Sequence, residues 1–329
     1  YIDRFHLEAG MQKEELLNNT SIYLDVLRKQ SSEYINGING ITDSSNFTLL
    51  EIAMLNLRYE LLYHALGKQY LEDAADGCTS FALIPEATKN KHFIIGQNWD
   101  WIPEVNCVLT TSLDDDGLQR ISFTEAGIFA GKPGMNSNGI GLSVNGMHSM
   151  DDDWSRFKKP FHLRCYEVLK SNNMDMALNA LLGTTRSCTT NFIVGQAPRS
   201  VVSIELTPDK LRMIDPVDDV LIHANHFSNR YAIDVNEPPN PRRYLSEFRQ
   251  DQLESLLNNS KPLNIVDIQK ILQNHNNNPN SICRHRDMNL PKSQHTITKT
   301  SMILDLNDLA IFVTNGQPCR SDFEKFTFN

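Results

Sequence analysis

The stretch Asp76-Gly77-Cys78-Thr79-Ser80 holds a side chain that can do chemistry on its own chain. A thiol placed directly after a glycine can attack the preceding carbonyl, because glycine has no side chain to oppose the strained backbone this requires. An N→S acyl shift followed by hydrolysis would cut the Gly77–Cys78 bond and leave the Cys78 α-amine beside its own thiol. A free α-amine titrates near pH 8, so it can act as a general base at neutral pH, and one residue then supplies both nucleophile and base. A Gly-Cys pair alone says little, since an arbitrary cysteine is more often a buried strand residue.

Other residues offer complementary chemistry. Asp100, in Asn98-Trp99-Asp100-Trp101, reads by itself as a strand-end acid that accepts a backbone N–H. Asn225, just after the strand pattern Val220–Ala224, reads by itself as a turn residue. Arg284 can fork onto a carboxylate or phosphate, or tie a neighbouring acid, while Ser281 before it can cap a segment. Trp99 and Trp101 flank Asp100, one expected to face the core and the other a substrate pocket. No metal site is expected. The six cysteines are 23 or more residues apart with no Cys-x-x-Cys, and His223 and His226 straddle Asn225 without a His-Glu-x-x-His.

Helical spacing of apolar residues predicts helices over His6–Gln30 and Thr48–Tyr70, the second opened by a Thr48/Glu51 capping box. From Cys78 the pattern is of strands: Cys78–Ile84, His92–Gln97, Cys107–Leu113, Leu118–Phe123, Gly127–Ala130 and Gly139–Val144. A helix over His162–Leu182 precedes strands at Asn191–Gly195, Val201–Leu206, Lys210–Ile214 and Val220–Ala224. Helices near Arg242–Leu257 and Asn264–Asn274 follow, then a polar loop at Asn274–Asn280. A closing hairpin, Thr300–Leu306 with Ala310–Thr314, ends the pattern. This order departs from strict βαβ alternation and suits an α+β architecture, two antiparallel sheets face to face with helices outside.

Taken in order, Gly77-Cys78-Thr79-Ser80, Gly96-Gln97-Asn98-Trp99-Asp100-Trp101, Met135-Asn136-Ser137-Asn138-Gly139-Ile140-Gly141, Ala224-Asn225-His226-Phe227 and Ser281-Ile282-Cys283-Arg284 form a specific series. The series resembles the acyl-coenzyme A:6-aminopenicillanic acid acyltransferase family of cysteine N-terminal-nucleophile (Ntn) hydrolases. Isopenicillin N acyltransferase is a member, and insect β-alanyl-dopamine hydrolase looks like a relative. The resemblance runs from about Glu51 to the C-terminus. It implies a four-layer αββα sandwich made as one precursor and cut at Gly77–Cys78. Residues 1–77 would form a helical α fragment and 78–329 a β fragment, associated as one folded domain. By the same resemblance Cys78 is the nucleophile that forms a thioester, Asp100 holds the α-amine, and Asn225 with a backbone N–H holds the oxyanion. Arg284, Ser281, Trp99 and Trp101 bind substrate or support the site, and no cofactor is needed. The implied reaction is hydrolysis of a small N-acylated amine of the β-alanyl type, with acyl-coenzyme A-dependent N-acyl transfer as the alternative.

Two readings compete with this one. A papain-like protease would pair Cys78 or Cys283 with His226 or His285, and an uncleaved sandwich would only bind a ligand. Composition narrows the partners. With 31 Lys and Arg against 40 Asp and Glu, a net charge of −9 and no basic stripe, nucleic acid is not expected. No apolar run reaches the roughly 20 residues of a membrane helix. Dispersed cysteines and the lack of a visible signal peptide suggest the cytoplasm.

Overall fold

The computed structural model describes residues 1–68, 77–240 and 242–328, so Asp76 and the expected helix end at Tyr70 lie outside them. Four helices come first: α1 Ile2–Ala9, α2 Lys13–Gln30, α3 Ser32–Asp43 and α4 Leu49–Lys68. The single helix expected over His6–Gln30 is two, because Gly10 takes a left-handed φ of 63° and ends α1. Helix α3 was not expected. Gly37 and Gly40 weaken its propensity, but burial of Tyr34, Ile35 and Ile38 holds it. The box at the start of α4 is present: Thr48 N donates to Glu51 Oε2 (3.0 Å) and Glu51 N to Thr48 Oγ1 (3.3 Å).

The strands are β1 Thr79–Leu83, β2 Ile94–Trp101, β3 Cys107–Leu113, β4 Gln119–Glu125, β5 Gly134–Asn136, β6 Ile140–Gly146, β7 Thr190–Gln196, β8 Ser200–Leu206, β9 Leu211–Ile214, β10 Val220–His223, β11 Ile297–Asp305, β12 Ala310–Thr314 and β13 Phe323–Thr327. Between them lie α5 Phe161–Leu169, α6 Met174–Leu182, α7 Arg230–Ile233, α8 Arg243–Ser260 and α9 Ile265–Leu272. One sheet runs β10-β1-β2-β11-β12-β13 and the other β3-β4-β5-β6-β7-β8-β9, with antiparallel neighbours throughout. Several boundaries differ from expectation, and β2 runs on to Trp101 past the expected end at Gln97. Gly127–Ala130 is a turn, since Gly127 (φ 89°) and Ala130 (φ 62°) break an extended chain, and β5 forms later. Helix His162–Leu182 is split where Asn173 accepts from Met176 N (2.9 Å) to start α6. The closing hairpin also gains β13, a mostly exposed edge strand with too little alternation to read.

Strand parity assigns the layers. Phe81, Leu83, Ile94 and Ile303 face Leu253 and Leu257 of α8 and Ile268 and Leu272 of α9. Ala82, Ile95, Met302 and Leu304 turn the other way, into a core shared with Leu142, Val144, Phe192 and Val194 of the second sheet. Gln97 crosses between the sheets: its Nε2 donates to Val144 O (2.5 Å) and its Oε1 accepts from Val144 N (3.2 Å). Beyond the second sheet, Asn136 Nδ2 donates to Leu169 O (3.0 Å) and Ser171 O (2.8 Å), pinning α5. The result is the expected αββα sandwich. No helix among the described residues is long and apolar enough to cross a membrane.

Helix α4 docks on α5 through a buried acid. Glu60 Oε1 accepts from Phe161 N (2.6 Å) at the start of α5, and its other oxygen has no hydrogen-bond partner. Burial therefore pushes the Glu60 pKa up to about 7, offset in part by the Phe161 N–H. A raised folded-state pKa gives stability that is full below the unfolded value and lost as pH rises towards 7. Glu60→Gln should abolish this loss. Thermal melts from pH 5 to 8 should show the variant gaining on the parent chain by on the order of 3 kcal/mol.

Candidate active site

Thr79 pairs with Asn98 across β1 and β2. Continued two residues outward, this register sets Cys78 beside Trp99 and Gly77 beside Asp100. A Cβ on Gly77 would stand 2.6 Å from Asp100 Cβ and 3.1 Å from Arg284 Nη1, so the approach requires glycine. Cys78 is buried, with Sγ 4.0 Å from the Asp100 carbonyl oxygen. It opens into a cavity of about 40 Å³ between the sheets, walled by Trp99, Trp101, Lys132, Phe161 and Asn225 among others. Both tryptophans line it, their ring centroids 6.0 Å apart. The expected division of Trp99 and Trp101 between core and pocket fails because residues two apart on a strand share a face.

Asp100 sends its carboxylate to the other face of β2. Its Oδ1 accepts from Thr298 Oγ1 (2.6 Å), and Arg284 Nε lies 3.6 Å from its Oδ2. Arg284 is itself fixed: its N donates to Thr298 Oγ1 (2.8 Å) and its Nη1 to Thr296 Oγ1 (2.9 Å). The Arg284 guanidinium thus lies beside the Asp100 carboxylate. Ser281 stands behind, donating to Cys283 O (2.6 Å) in the turn that leads to Arg284, and does not line the cavity.

Asn225 follows β10 at the cavity mouth. Its Nδ2 donates to Gly146 O (3.0 Å), its backbone N donates to Ser246 Oγ (2.8 Å), and its Oδ1 accepts from Arg249 Nη2 (3.0 Å). Arg249, wholly buried on α8, also donates from Nε to Thr79 Oγ1 (3.2 Å). One guanidinium thus fixes the amide orientation of Asn225 and the residue after Cys78. His223 and His226 have separate partners, Glu205 Oε1 (3.0 Å) and Ser246 Oγ (2.8 Å), and burial lowers the His226 pKa to about 3. No histidine lines the cavity among the described residues.

Sequence reasoning missed four charged residues. Arg249 sits one helical turn from Leu245 and Leu253, inside an apolar stripe, and that misplacement was a usable signal. Arg58 lies beside Leu57 on α4, and both Arg58 and Lys132 pair with the buried Glu125. The Arg58 guanidinium is 5.0 Å from the Trp101 ring centroid and Lys132 Nζ is 4.7 Å from that of Trp99. Burial, then the nearby Arg58 charge, push Lys132 well below the usual lysine range.

The sequence signature described as acyl-coenzyme A:6-aminopenicillanic acid acyl-transferase matches residues 87–320, more than two thirds of the chain. The chain belongs to this acyl-transferase family. The matched span includes Asp100, Asn225, Ser281 and Arg284 and begins after Gly77–Cys78. A curated family relative, the acyl-coenzyme A:6-aminopenicillanic-acid-acyltransferase 40 kDa form of Emericella nidulans, is 26% identical over 264 residues, 79% of this chain and 69% of its own. Two solved structures share the fold. A mutant of the conjugated bile acid hydrolase from Clostridium perfringens has a TM-score of 0.51 at 11% identity, over 77% of this chain and 97% of its own. The N-acylethanolamine-hydrolyzing acid amidase ortholog of Caenorhabditis elegans also scores 0.51, at 13% identity, over 77% and 100%. This family member therefore has the Ntn-hydrolase sandwich.

The Arg249–Asn225 contact makes a coupled prediction. If the oriented Asn225 amide serves the reaction, Asn225→Ala should lower kcat about 10²- to 10³-fold. Arg249→Gln should lower it as well, and the double variant should be scarcely worse than Asn225→Ala. Multiplying effects in the kinetic double-mutant cycle would mean that the two side chains act independently.

Proposed function

We propose that the chain is a self-processing cysteine Ntn hydrolase that cleaves the amide bond of a small N-acylated amine through a Cys78 thioester. The observation that carries this reading is the Gly77–Cys78 junction itself, pressed against Asp100 and Arg284 at the edge of a small cavity that offers no histidine among the described residues. In the processing step Cys78 Sγ attacks the Gly77 carbonyl carbon and the thiol proton passes to the Cys78 nitrogen as the C–N bond breaks. Water then hydrolyses the thioester, leaving a Gly77 carboxylate, a restored thiol and a free α-amine. The α fragment, residues 1–77, stays packed on the β fragment, residues 78–329, as one domain.

In turnover the α-amine takes the thiol proton while Sγ attacks the substrate carbonyl. Asn225 Nδ2 keeps one hydrogen on Gly146 O and offers the other to the oxyanion. Asp100 orients the α-ammonium, which protonates the departing amine, and Arg284 keeps the carboxylate aligned. Water releases the acyl group. A cavity of about 40 Å³ holds roughly three water-sized groups, which suits a short acyl chain such as β-alanyl.

A second reading, N-acyl transfer from acyl-coenzyme A, is favoured by a further opening. Tyr1, whose hydroxyl accepts from Trp101 Nε1 (2.6 Å), also lines a cleft of about 740 Å³ with Ile102, Val105 and Lys292, roomy enough for an acyl donor or acceptor. Kinetics with β-alanyl-dopamine, β-alanyl-histamine and acyl-coenzyme A plus amine would rank the two. Under either reading, purified protein should run as pieces of about 9 and 29 kDa, the larger starting at Cys78, and Cys78→Ala should remain at 37.4 kDa without activity. Active protein whose Gly77–Cys78 bond stays intact would overturn the mechanism.

A further inference from the structure

The loop that follows α9 meets the loop between β12 and β13. Four side chains converge where they touch: His275, Cys283, His285 and Cys319. Each offers one donor atom, and the four atoms lie within 4.8 Å of one another. His285 Nε2 is 3.0 Å from His275 Nε2, 3.4 Å from Cys319 Sγ and 3.8 Å from Cys283 Sγ. A tetrahedral zinc ion, with bonds of about 2.0–2.1 Å to nitrogen and about 2.3 Å to sulfur, sets N···N edges near 3.3 Å and N···S edges near 3.6 Å. The two N···S distances, 3.4 and 3.8 Å, bracket the second value, and the N···N distance of 3.0 Å is about 0.3 Å short of the first. A single N–H···N hydrogen bond would join the two rings but would leave both thiols with weak contacts only.

The backbone holds the donors in place. Cys283 N donates to Asn274 O (3.0 Å) and His285 N to Pro279 O (2.9 Å), folding the first loop. Gln273 Nε2 donates to Pro318 O (3.0 Å) and Gln317 Nε2 to Arg284 O (2.7 Å), stitching that loop to the second. Sequence spacing hides the set, since His275, Cys283 and His285 come from one loop and Cys319 from another strand connection.

We propose that His275, Cys283, His285 and Cys319 bind a zinc ion in a tetrahedral Cys2His2 site. On binding, each thiol releases its proton to solvent and each imidazole coordinates as a neutral ligand through Nε2, so two thiolates balance the divalent charge. Four protein ligands leave no open position, which makes the site structural. Arg284 is flanked by two of the ligands, Cys283 and His285, so the ion fixes the backbone on both sides of the residue that clamps Asp100. The choice of zinc rests on the donors, borderline-soft nitrogen with soft thiolate.

The test uses the full chain, purified without chelators or a metal-affinity tag. Elemental analysis should find about one zinc per chain, and His275→Ala, which changes an exposed side chain, should lower the retained zinc about tenfold. Exchange with Co²⁺ should give the intense visible absorption of tetrahedral cobalt with a thiolate charge-transfer band, and Cys319→Ser should weaken that band. Added zinc should raise the melting midpoint of the parent chain and leave that of His275→Ala unmoved. The proposal is overturned if the chain stays metal-free with stoichiometric zinc present, if bound cobalt is octahedral, or if peptide mapping finds a Cys283–Cys319 disulfide. None of these readouts depends on catalytic activity, so they stand apart from the fate of the amidohydrolase reading.

Discussion

The antiparallel pairing of β1 with β2 is the constraint on which the candidate site depends. Its register brings Gly77 against Asp100 so closely that no side chain fits at position 77. It also sends alternate residues to opposite faces, the thiol and two indoles into the inter-sheet cavity and the carboxylate towards β11 and Arg284. A slip of one residue would exchange these faces and undo the arrangement. The αββα packing makes such a slip costly, because it would drive Phe81 and Leu83 out of the α8–α9 layer.

Around this ladder the charges are arranged in ties. Arg284 holds Asp100, Arg249 holds Asn225 together with Thr79, and Glu125 takes both Arg58 and Lys132. All of these cations are buried, and a buried charge deprived of its partner is strongly destabilising. Removing one member therefore moves its neighbours, and the effects of substitutions near the cavity are coupled.

Much of this architecture was legible in the sequence, and the reasons are physical. Helical and two-residue periodicities located α2, α4 and most strands, and five short motifs single out Cys78, Asp100, Asn225 and Arg284. What stayed hidden depended on long-range packing. Helix α3 survives two glycines because tertiary burial outweighs propensity, and β13 is legible only as the partner of β12. Arg249 and Lys132 have no motif, since their meaning comes from elements far away in the chain. The His275–Cys319 cluster is the extreme case, its donors joined only when two loops cross.

The far wall of the cavity limits what the protein can become. Phe161 is stacked on Tyr59, with centroids 4.1 Å apart, and on Phe192, 5.7 Å away, so the wall is part of the continuous aromatic interior between α4, α5 and β7. Turning Phe161 aside would break both stacks. Enlarging the cavity on this side therefore means repacking that interior, with the loss of contacts this brings.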